Sequence, residues 1–332
     1  MSWIAVTGGC GYIGSHIAKQ LGQRTSHNIL LIDRNADDLQ HTHSLADRVV
    51  CADFVSDTAF DALRKTKPST IIHCGGTSLV GPSIANPAEY YDNNVFKTIR
   101  LLDWMRDHAE GTDIIFSSSS SIYGDTPTGI CDEHTEKNPI SPYARTKWFI
   151  EQVLQDYSRA YGINSLSFRY FNAAGADPCG RIGQLPHATH LLAAVIEHVL
   201  YNRTLEIYGD DYETPDGTPI RDYTHVSDIA HAHVLGIDWL AENPGCHSIN
   251  LGTGKGSSVK EILGATESSL GVTLRPTILG RREGDPARRA ASNDRAKQLL
   301  SWEPKRSLAE IVLTAHAWYN SDAYRQMRFA NK

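Results

Sequence analysis

The sequence lacks the excess positive charge and the closely spaced cysteines that mark several large classes of protein. Its formal net charge is -6, whereas nucleic-acid-binding proteins are usually basic, so we expect no nucleic-acid partner. The six cysteines include no C-x-x-C pair, which argues against a zinc ribbon or a redox pair and favours a reducing compartment. The pairs His41-x-His43 and His231-x-His233 lack the i, i+4 spacing of a helical zinc site, so we expect no bound metal.

Long apolar runs are also missing. No stretch approaches the roughly 18 apolar residues that a membrane-spanning helix needs. Neither a basic segment nor a long apolar run precedes the hydrophobic residues 3–6, so we recognise no secretory signal. We therefore expect a cytoplasmic protein without a membrane partner.

The first half of the chain alternates between apolar runs of strand length and segments of helix length. The predicted strands are 3–7, 28–33, 49–51, 70–74, 113–117 and 165–170, and the predicted helices are 13–22, 93–108 and 148–161. Because strands that alternate with crossover helices run parallel, this pattern predicts an α/β protein with a doubly wound parallel sheet.

The amino-acid composition of the sequence changes after Asn172. Glycine, proline and polar residues dominate 173–187 and 209–219, and shorter elements are predicted at 189–202, 249–252 and 257–270. We therefore expect a first domain at 1–172, with elements around 221–252 returning to it, and a smaller lobe at 173–332.

A glycine-rich segment follows the first predicted strand. Gly8, Gly11 and Gly14 form G-x-x-G-x-x-G in front of a predicted helix. Glycines let the main chain approach a pyrophosphate, and a helix N-terminus offers free N–H groups and the positive end of a dipole. In this position the motif predicts a dinucleotide-binding site; the alternative is a glycine turn without a ligand.

Acidic residues at the ends of the next two strands indicate which dinucleotide binds. Asp33 ends the second strand, about twenty residues after the glycines. A carboxylate here accepts hydrogen bonds from the adenosine ribose and repels a 2′-phosphate, which favours NAD over NADP. Arg34 follows directly and could accommodate a phosphate. Asp53, after the third strand, is placed to contact the adenine.

Tyr143 and Lys147 form Y-x-x-x-K, and this spacing puts both side chains on one helical face. A lysine ammonium lowers the pKa of a nearby tyrosine, so Tyr143 is a candidate base. Ser119 lies among the serines that end the fifth predicted strand. Parallel sheets bind ligands at the carboxyl ends of their strands, so we expect Ser119 to share a substrate oxygen with Tyr143. The alternative is that these serines form a polar turn.

Together these motifs resemble the extended short-chain dehydrogenase/reductases, and among them most closely the UDP-glucose 4-epimerases. The resemblance runs from Val6 to about Trp302 and is carried by blocks throughout the chain. These blocks are TGGCGYIGSH (7–16), YYDNNV (90–95), FSSSSSIYGD (116–125), SPYARTK (141–147), RYFNAAGA (169–176), YGDDYETPDGTPIRDYTHVSD (208–228), NLGTG (250–254) and RREGDPA (281–287).

The resemblance implies a Rossmann-type sheet with a smaller C-terminal substrate-binding lobe, and an isomerase of galactose metabolism. Such an enzyme uses NAD to invert C4 of a UDP-hexose, UDP-glucose or UDP-galactose, through a transient 4-keto sugar. The resemblance also implies a homodimer whose interface uses helices at about 93–108 and 146–160.

Site residues follow from the matching blocks. The implied catalytic residues are Ser119, Tyr143 and Lys147. The implied cofactor contacts are Gly8, Gly11, Tyr12, Ile13, Gly14, Asp33, Asp53, Phe54, Asn94, Tyr143, Lys147 and Tyr170. The implied substrate contacts are Ser119, Asn172, His190, Arg221, Arg282 and Asp285, with the two arginines on the diphosphate and Asp285 on the uridine ribose.

Two departures from the family pattern affect these implications. Ser78 stands where relatives often have a lysine, so one cationic contact to the cofactor is missing. Arg289 stands where relatives have a residue that limits the C2 substituent of the sugar. An inward Arg289 would exclude an N-acetyl group, whereas pairing with Asp285 or Glu283 would open the pocket. We expect an unacetylated substrate.

Several alternatives stay open or are disfavoured by the same residues. UDP-N-acetylhexosamine and UDP-xylose or UDP-arabinose fit the same motifs. A 4,6-dehydratase needs an acid and a base where this chain has Ser120 and Ser121. A redox-sensing module that only binds NAD would commonly have lost Tyr143 or Lys147. A simple alcohol dehydrogenase would leave the diphosphate arginines unexplained.

Overall fold

Residues 2–126, 128–186, 189–282 and 285–329 are described by a computed structural model of the chain. Its strands are β1 Trp3–Thr7, β2 Asn28–Asp33, β3 Arg48–Cys51, β4 Thr70–His73, β5 Asp113–Ser119, β6 Ile130–Cys131, β7 Ser165–Tyr170, β8 Asn172–Ala174, β9 Glu206–Tyr208, β10 Ile220–Arg221, β11 Tyr223–His225, β12 Cys246–Leu251, β13 Ser257–Ser258, β14 Thr277–Leu279 and β15 Arg288–Ala291. Its α-helices are α1 Tyr12–Arg24, α2 Asp57–Thr66, α3 Val80–Ala85, α4 Pro87–Tyr91, α5 Lys97–His108, α6 Pro142–Tyr161, α7 Leu191–Tyr201, α8 Val226–Glu242, α9 Val259–Leu270, α10 Asp294–Leu300, α11 Leu308–Tyr319 and α12 Asp322–Phe329. Segments of 3₁₀-helix occupy Ala36–Leu45 and Ser120–Tyr123, and a π-helix occupies Asp92–Phe96.

A seven-stranded parallel sheet in the order β12-β7-β5-β4-β1-β2-β3 forms the centre of the molecule. In chain order, β2 and β3 lie on one side of β1, and the chain then crosses to β4 on the other side of β1, where β5, β7 and β12 follow. This arrangement confirms the predicted doubly wound fold. The direction of winding switches between β1 and β4, and ligands bind at such points in open α/β sheets.

Alternate residues of the central strands pack into two separate apolar layers. Ile4 and Val6 of β1 contribute to the layer that α1 and α8 cover, and Ala5 contributes to the layer under α2, α5 and α6. Side chains of a strand point alternately to its two faces, so a sheet covered on both sides needs apolar residues at nearly every position. This requirement explains the continuous apolar runs in the sequence.

The smaller elements of the second half surround one end of this sheet. A four-stranded sheet in the order β13-β10-β15-β6 lies beside a cluster in which residues of α7, α9 and α11 pack together. Strand β12 joins the central sheet next to β7. The domain boundary at residue 172 stays a prediction. Among the residues that the structure describes, no helix is both long and apolar enough to cross a membrane.

Candidate active site

A cavity of about 430 Å³ lies at the carboxyl ends of the central strands, where the winding switches. Most of the predicted site residues line it. These are Gly8, Gly11, Tyr12, Ile13, Gly14, Asp33, Asp53, Phe54, Ser119, Tyr143, Lys147, Tyr170, Asn172 and His190. The fold therefore brings together residues that are spread over more than half of the sequence.

The glycine loop forms one wall of this cavity, and its geometry requires glycine. Gly8 has a φ of +64°, and a Cβ there would lie 2.8 Å from the main-chain nitrogen of Gly75. A Cβ on Gly14 would lie 2.3 Å from the carbonyl oxygen of Gly8. Helix α1 begins at Tyr12, and its N-cap residue Gly11 makes no side-chain cap, so the first N–H groups of the helix stay free for an anion.

Asp33 and Asp53 both line the cavity, and their predicted contacts with the adenosine stay a prediction. The carboxylate of Asp33 accepts hydrogen bonds from the main-chain N–H groups of Cys10 at 3.1 Å and Asn35 at 2.9 Å. Asp53 forms an ion pair with Lys97, whose Nζ donates over 2.7 Å. Burial alone would raise the pKa of Asp53, but Lys97 holds it below its ordinary value. The sequence interpretation missed Lys97.

Asn94 lies behind the cavity wall, although we expected it to contact the cofactor. Its Oδ1 accepts from the N–H of Thr77 at 2.8 Å, and its Nδ2 donates to the hydroxyl of Thr146 at 3.1 Å. The side chain that lines the cavity from this segment is Asn93. Asn94 therefore connects the loop after β4 to helix α6.

Tyr143 and Lys147 lie on the first turns of α6, facing the end of β5. The side chain of Ser141 caps the helix, and Pro142 occupies its first turn. The ammonium of Lys147 donates to the carbonyl oxygen of Ser117 over 2.7 Å and lies 5.9 Å from the centre of the Tyr143 ring. Burial lowers the pKa of Lys147 to about 8.

The pKa of Tyr143 is shifted by the burial of its side chain. Burial raises it above the ordinary value, and a hydrogen bond with Ser119 only partly opposes this effect. The expected lowering of this pKa by Lys147 and an oxidised nicotinamide stays a prediction. The Ser119 hydroxyl itself donates to Ser121 Oγ at 3.1 Å and lies beside Tyr143 in the lining of the cavity.

The remaining predicted contacts on this side come from β7, β8 and α7. The hydroxyl of Tyr170 is hydrogen-bonded to Ser117 Oγ at 3.0 Å. The main-chain N–H of Asn172 donates to the carbonyl oxygen of Asp222 over 2.9 Å. His190 is the N-cap residue of α7, and burial lowers its pKa.

Arg221, Arg282 and Asp285 form a second group that lies outside the lining of this cavity in the described chain. Arg221 donates to Asp285 over 2.5 Å, and the Arg282 guanidinium stacks 3.7 Å from the centre of the Tyr208 ring. Tyr223, two residues after Arg221, lines the cavity, so the two groups adjoin. Glu283, a possible partner of Arg289, lies outside the described residues.

Asp222 was also missed in the sequence, although it joins these parts. Its buried carboxylate accepts hydrogen bonds from the main-chain N–H groups of Thr253 at 2.7 Å, Gly254 at 3.1 Å and Ala291 at 3.1 Å. Its carboxylate thus ties the end of β15 to the loop after β12. The cation-bearing strands are therefore held at a fixed position next to the cavity.

Known proteins resemble this chain over nearly its whole length. The UDP-glucose 4-epimerase of Rhizobium meliloti is 41% identical over 327 residues, which cover 96% of this chain and 97% of that protein. The UDP-glucose 4-epimerase of Halalkalibacterium halodurans is 41% identical over 322 residues, which cover 95% of this chain and 94% of that protein.

Solved structures agree with these sequence comparisons. A UDP-glucose 4-epimerase from Brucella ovis in complex with NAD has a TM-score of 0.89 and 38% identity, covering 95% of this chain and 98% of that chain. One from Stenotrophomonas maltophila with bound NAD and formylated UDP-arabinopyranose has a TM-score of 0.90 and 33% identity, covering 96% and 98%. The family model described as "NAD dependent epimerase/dehydratase family" matches residues 4–252. The predicted resemblance is thereby confirmed, and this chain belongs to the NAD dependent epimerase/dehydratase family.

Proposed function

We propose that this chain is an NAD-dependent isomerase that inverts C4 of a UDP-hexose and interconverts UDP-glucose and UDP-galactose. The observation that carries the proposal is the meeting of Ser119, Tyr143 and Lys147 in one cavity with the glycine loop. Relatives at 41% identity are named as UDP-glucose 4-epimerases, which supports the same reaction here.

The residues present fit NAD. Gly8 and Gly14 leave space that a Cβ would fill, and the uncapped start of α1 suits a pyrophosphate. The carboxylate of Asp33 suits the adenosine ribose. When bound, NAD would supply the exchange of a hydride at C4 of the sugar.

The chain's own residues position the sugar and move a proton at its 4-hydroxyl. Tyr143 takes this proton as the 4-keto sugar forms and returns it in the second half of the reaction. The Ser119 hydroxyl, which lines the same cavity as Tyr143, holds the same oxygen. Lys147 contributes a positive charge beside the tyrosine ring. Arg221 and Arg282 would hold the diphosphate, because guanidinium groups bind phosphate oxygens in pairs.

The proposal extends to assembly, location and pathway. Exposed aromatic side chains at Phe96, Phe149 and Tyr161, next to or within the helices expected at the interface, support a homodimer. All six cysteines are free, which supports a reducing compartment such as the cytoplasm. Interconversion of UDP-glucose and UDP-galactose would place the enzyme in galactose metabolism.

A turnover assay over a panel of UDP-sugars tests the proposal. The purified protein should convert UDP-galactose into UDP-glucose without added oxidant, faster than it converts UDP-N-acetylgalactosamine or UDP-arabinose. If the protein prefers another sugar of the panel, that sugar would take the place of UDP-glucose and UDP-galactose as the proposed substrate. Retention of NAD without turnover of any sugar would instead favour a redox-sensing binding module.

A further inference from the structure

Two arginines lie side by side next to the cavity. Strands β10 and β15 run parallel, and their register places Arg221 opposite Arg289. Paired residues of neighbouring strands project from the same face of a sheet, while the next residue along each strand projects from the other face. Arg221 and Arg289 therefore share one face, and Arg288 belongs to the opposite face.

The two guanidinium groups differ in their partners. Arg221 donates to the carbonyl oxygen of Ile220 over 2.7 Å and to Asp285 over 2.5 Å. The Nε of Arg289 is buried, and no hydrogen-bond partner reaches it in the described part of the chain. The carboxylate of Asp285 attracts the guanidinium of Arg289, but the carboxylate accepts its hydrogen bond from Arg221. Two cations thus share one carboxylate.

This arrangement is unfavourable for the protein alone. Arg289 is half-buried as a whole, but its buried Nε has lost hydration that no partner in the described chain replaces. Burial lowers the pKa of Arg289, and the neighbouring Arg221 lowers it further, which reflects the same deficit of negative charge. A ligand that brings anionic oxygens to this face would supply the missing partner, and guanidinium groups bind phosphate in a forked geometry.

We propose that Arg289 binds the diphosphate of the nucleotide sugar as a third guanidinium, beside Arg221 and in addition to Arg282. The inference rests on the proposed function, because it requires a nucleoside diphosphate sugar as substrate. It assigns Arg289 to recognition of charge. Arg288 and Arg295 also have a buried Nε without a partner, but of these three arginines only Arg289 lies opposite Arg221 in the sheet.

Calorimetric titration of the purified protein with UDP and with uridine tests this role. Arg289→Leu should weaken UDP binding by about 10- to 100-fold, the usual range for a lost hydrogen bond to a charged group, and should leave uridine binding unchanged. Arg288→Leu is the matched control, because Arg288 lies on the opposite face of the same strand and should not affect UDP. Unchanged UDP affinity in Arg289→Leu would overturn the proposal.

Thermal unfolding without nucleotide separates binding from a structural role. Arg289→Leu should melt at or above the temperature of the natural protein, because it removes a buried unpaired charge. A less stable variant that loses UDP and uridine equally would contradict the proposal. Turnover of UDP-galactose by the natural protein, measured in parallel, distinguishes the two claims. If the natural protein turns over UDP-galactose and Arg289→Leu binds UDP as tightly as the natural protein, only the role of Arg289 is refuted. If UDP binding depends on Arg289 and the natural protein shows no turnover, only the proposed isomerase activity is refuted.

Discussion

The hydroxyl of Tyr170 lies 2.6 Å from Nε2 of His233, and both side chains are buried. The other ring nitrogen, Nδ1, lies 2.9 Å from the carbonyl oxygen of Ile229. A carbonyl only accepts, so Nδ1 carries the hydrogen and Nε2 must accept from Tyr170. Burial lowers the pKa of His233 to about 4, which keeps the ring neutral near pH 7.

This pair belongs to a chain of buried contacts that reaches Ser117, the residue whose carbonyl contacts Lys147. The Tyr170 hydroxyl also lies 3.0 Å from Ser117 Oγ, which in turn donates to Cys74 Sγ over 3.1 Å. The carbonyl of the same serine accepts from Lys147 at 2.7 Å. His233 therefore holds the Tyr170 hydroxyl in place next to Ser117.

We expect His233→Phe to lower the free energy of unfolding by about 1–3 kcal/mol, because the Tyr170 hydroxyl loses its acceptor inside the protein. A double-mutant cycle with Tyr170→Phe, followed by urea unfolding, measures the coupling. The double variant should lose less stability than the two single variants added together. Strict additivity would show that the hydrogen bond contributes nothing.

Tyr143→Phe should fold and retain NAD but lose about 100-fold or more in kcat, because it removes only the hydroxyl that exchanges the proton. Tyr90→Phe is a matched control, since the Tyr90 ring contacts the Tyr143 ring edge-on at a centroid distance of 6.4 Å. The measurement is steady-state turnover of UDP-galactose together with the NAD content of each variant. If Tyr143→Phe kept roughly a tenth of the activity, the assignment of the base would be wrong.

Asp33 should make the protein prefer NAD to NADP, because its carboxylate would repel a 2′-phosphate. Asp33→Ser should reduce the ratio of the affinity for NAD to the affinity for NADP. Arg34, which lines the same cavity, should then attract the 2′-phosphate of NADP. Dissociation constants of both dinucleotides for the protein stripped of cofactor provide the measurement. Asp37→Ser, at an exposed acidic residue on the following 3₁₀ segment, serves as the control. Equal affinity of the unaltered protein for NAD and NADP would refute the role of Asp33.

The central sheet was predictable because its signals are local. The strand predicted at 28–33 is β2, and the alternation of strands and helices gave the parallel arrangement. Helix α6 begins at Pro142, six residues before the predicted start at Trp148, although Ser141 and Pro142 are the usual signals of a helix start.

Contacts between distant segments were not predictable in the same way. The ion pair of Lys97 with Asp53 joins residues 44 positions apart, and no spacing rule reports it. The contact of Asn94 was implied by the family resemblance and not by a spacing rule, whereas Asn93, its neighbour in the π-helix Asp92–Phe96, lines the cavity.

Acid should destabilise the protein because several buried histidines are neutral in the folded state. Burial lowers the pKa of His73 and His225 to about 3 and that of His16 to about 4. In the unfolded chain these groups bind protons below about pH 6.5. Their contribution to stability is therefore complete above pH 6.5 and is lost as the pH falls towards 4.

Urea unfolding between pH 8 and pH 4 measures this loss. His16→Leu should reduce the dependence of stability on pH by up to about 1.4 kcal/mol per pH unit below pH 6.5, the value for one proton. His134→Leu, at an exposed position, serves as the control. An unchanged slope in His16→Leu would show that this histidine does not stay neutral in the folded protein.

The proposed homodimer should depend on the exposed aromatic residues next to α5 and on α6. The side chains of Phe96 and Phe149 are 62% and 48% exposed, and a partner that covers them would remove this apolar surface from water. Light scattering should therefore give about twice the chain mass of 36.7 kDa. Phe149→Glu should yield monomers, since it would place a charge in an apolar interface. Leu313→Glu is the control, because Leu313 is similarly exposed at 47% but lies on α11. A monomeric mass for the unaltered protein at micromolar concentration, or loss of the dimer in both variants alike, would contradict this interface.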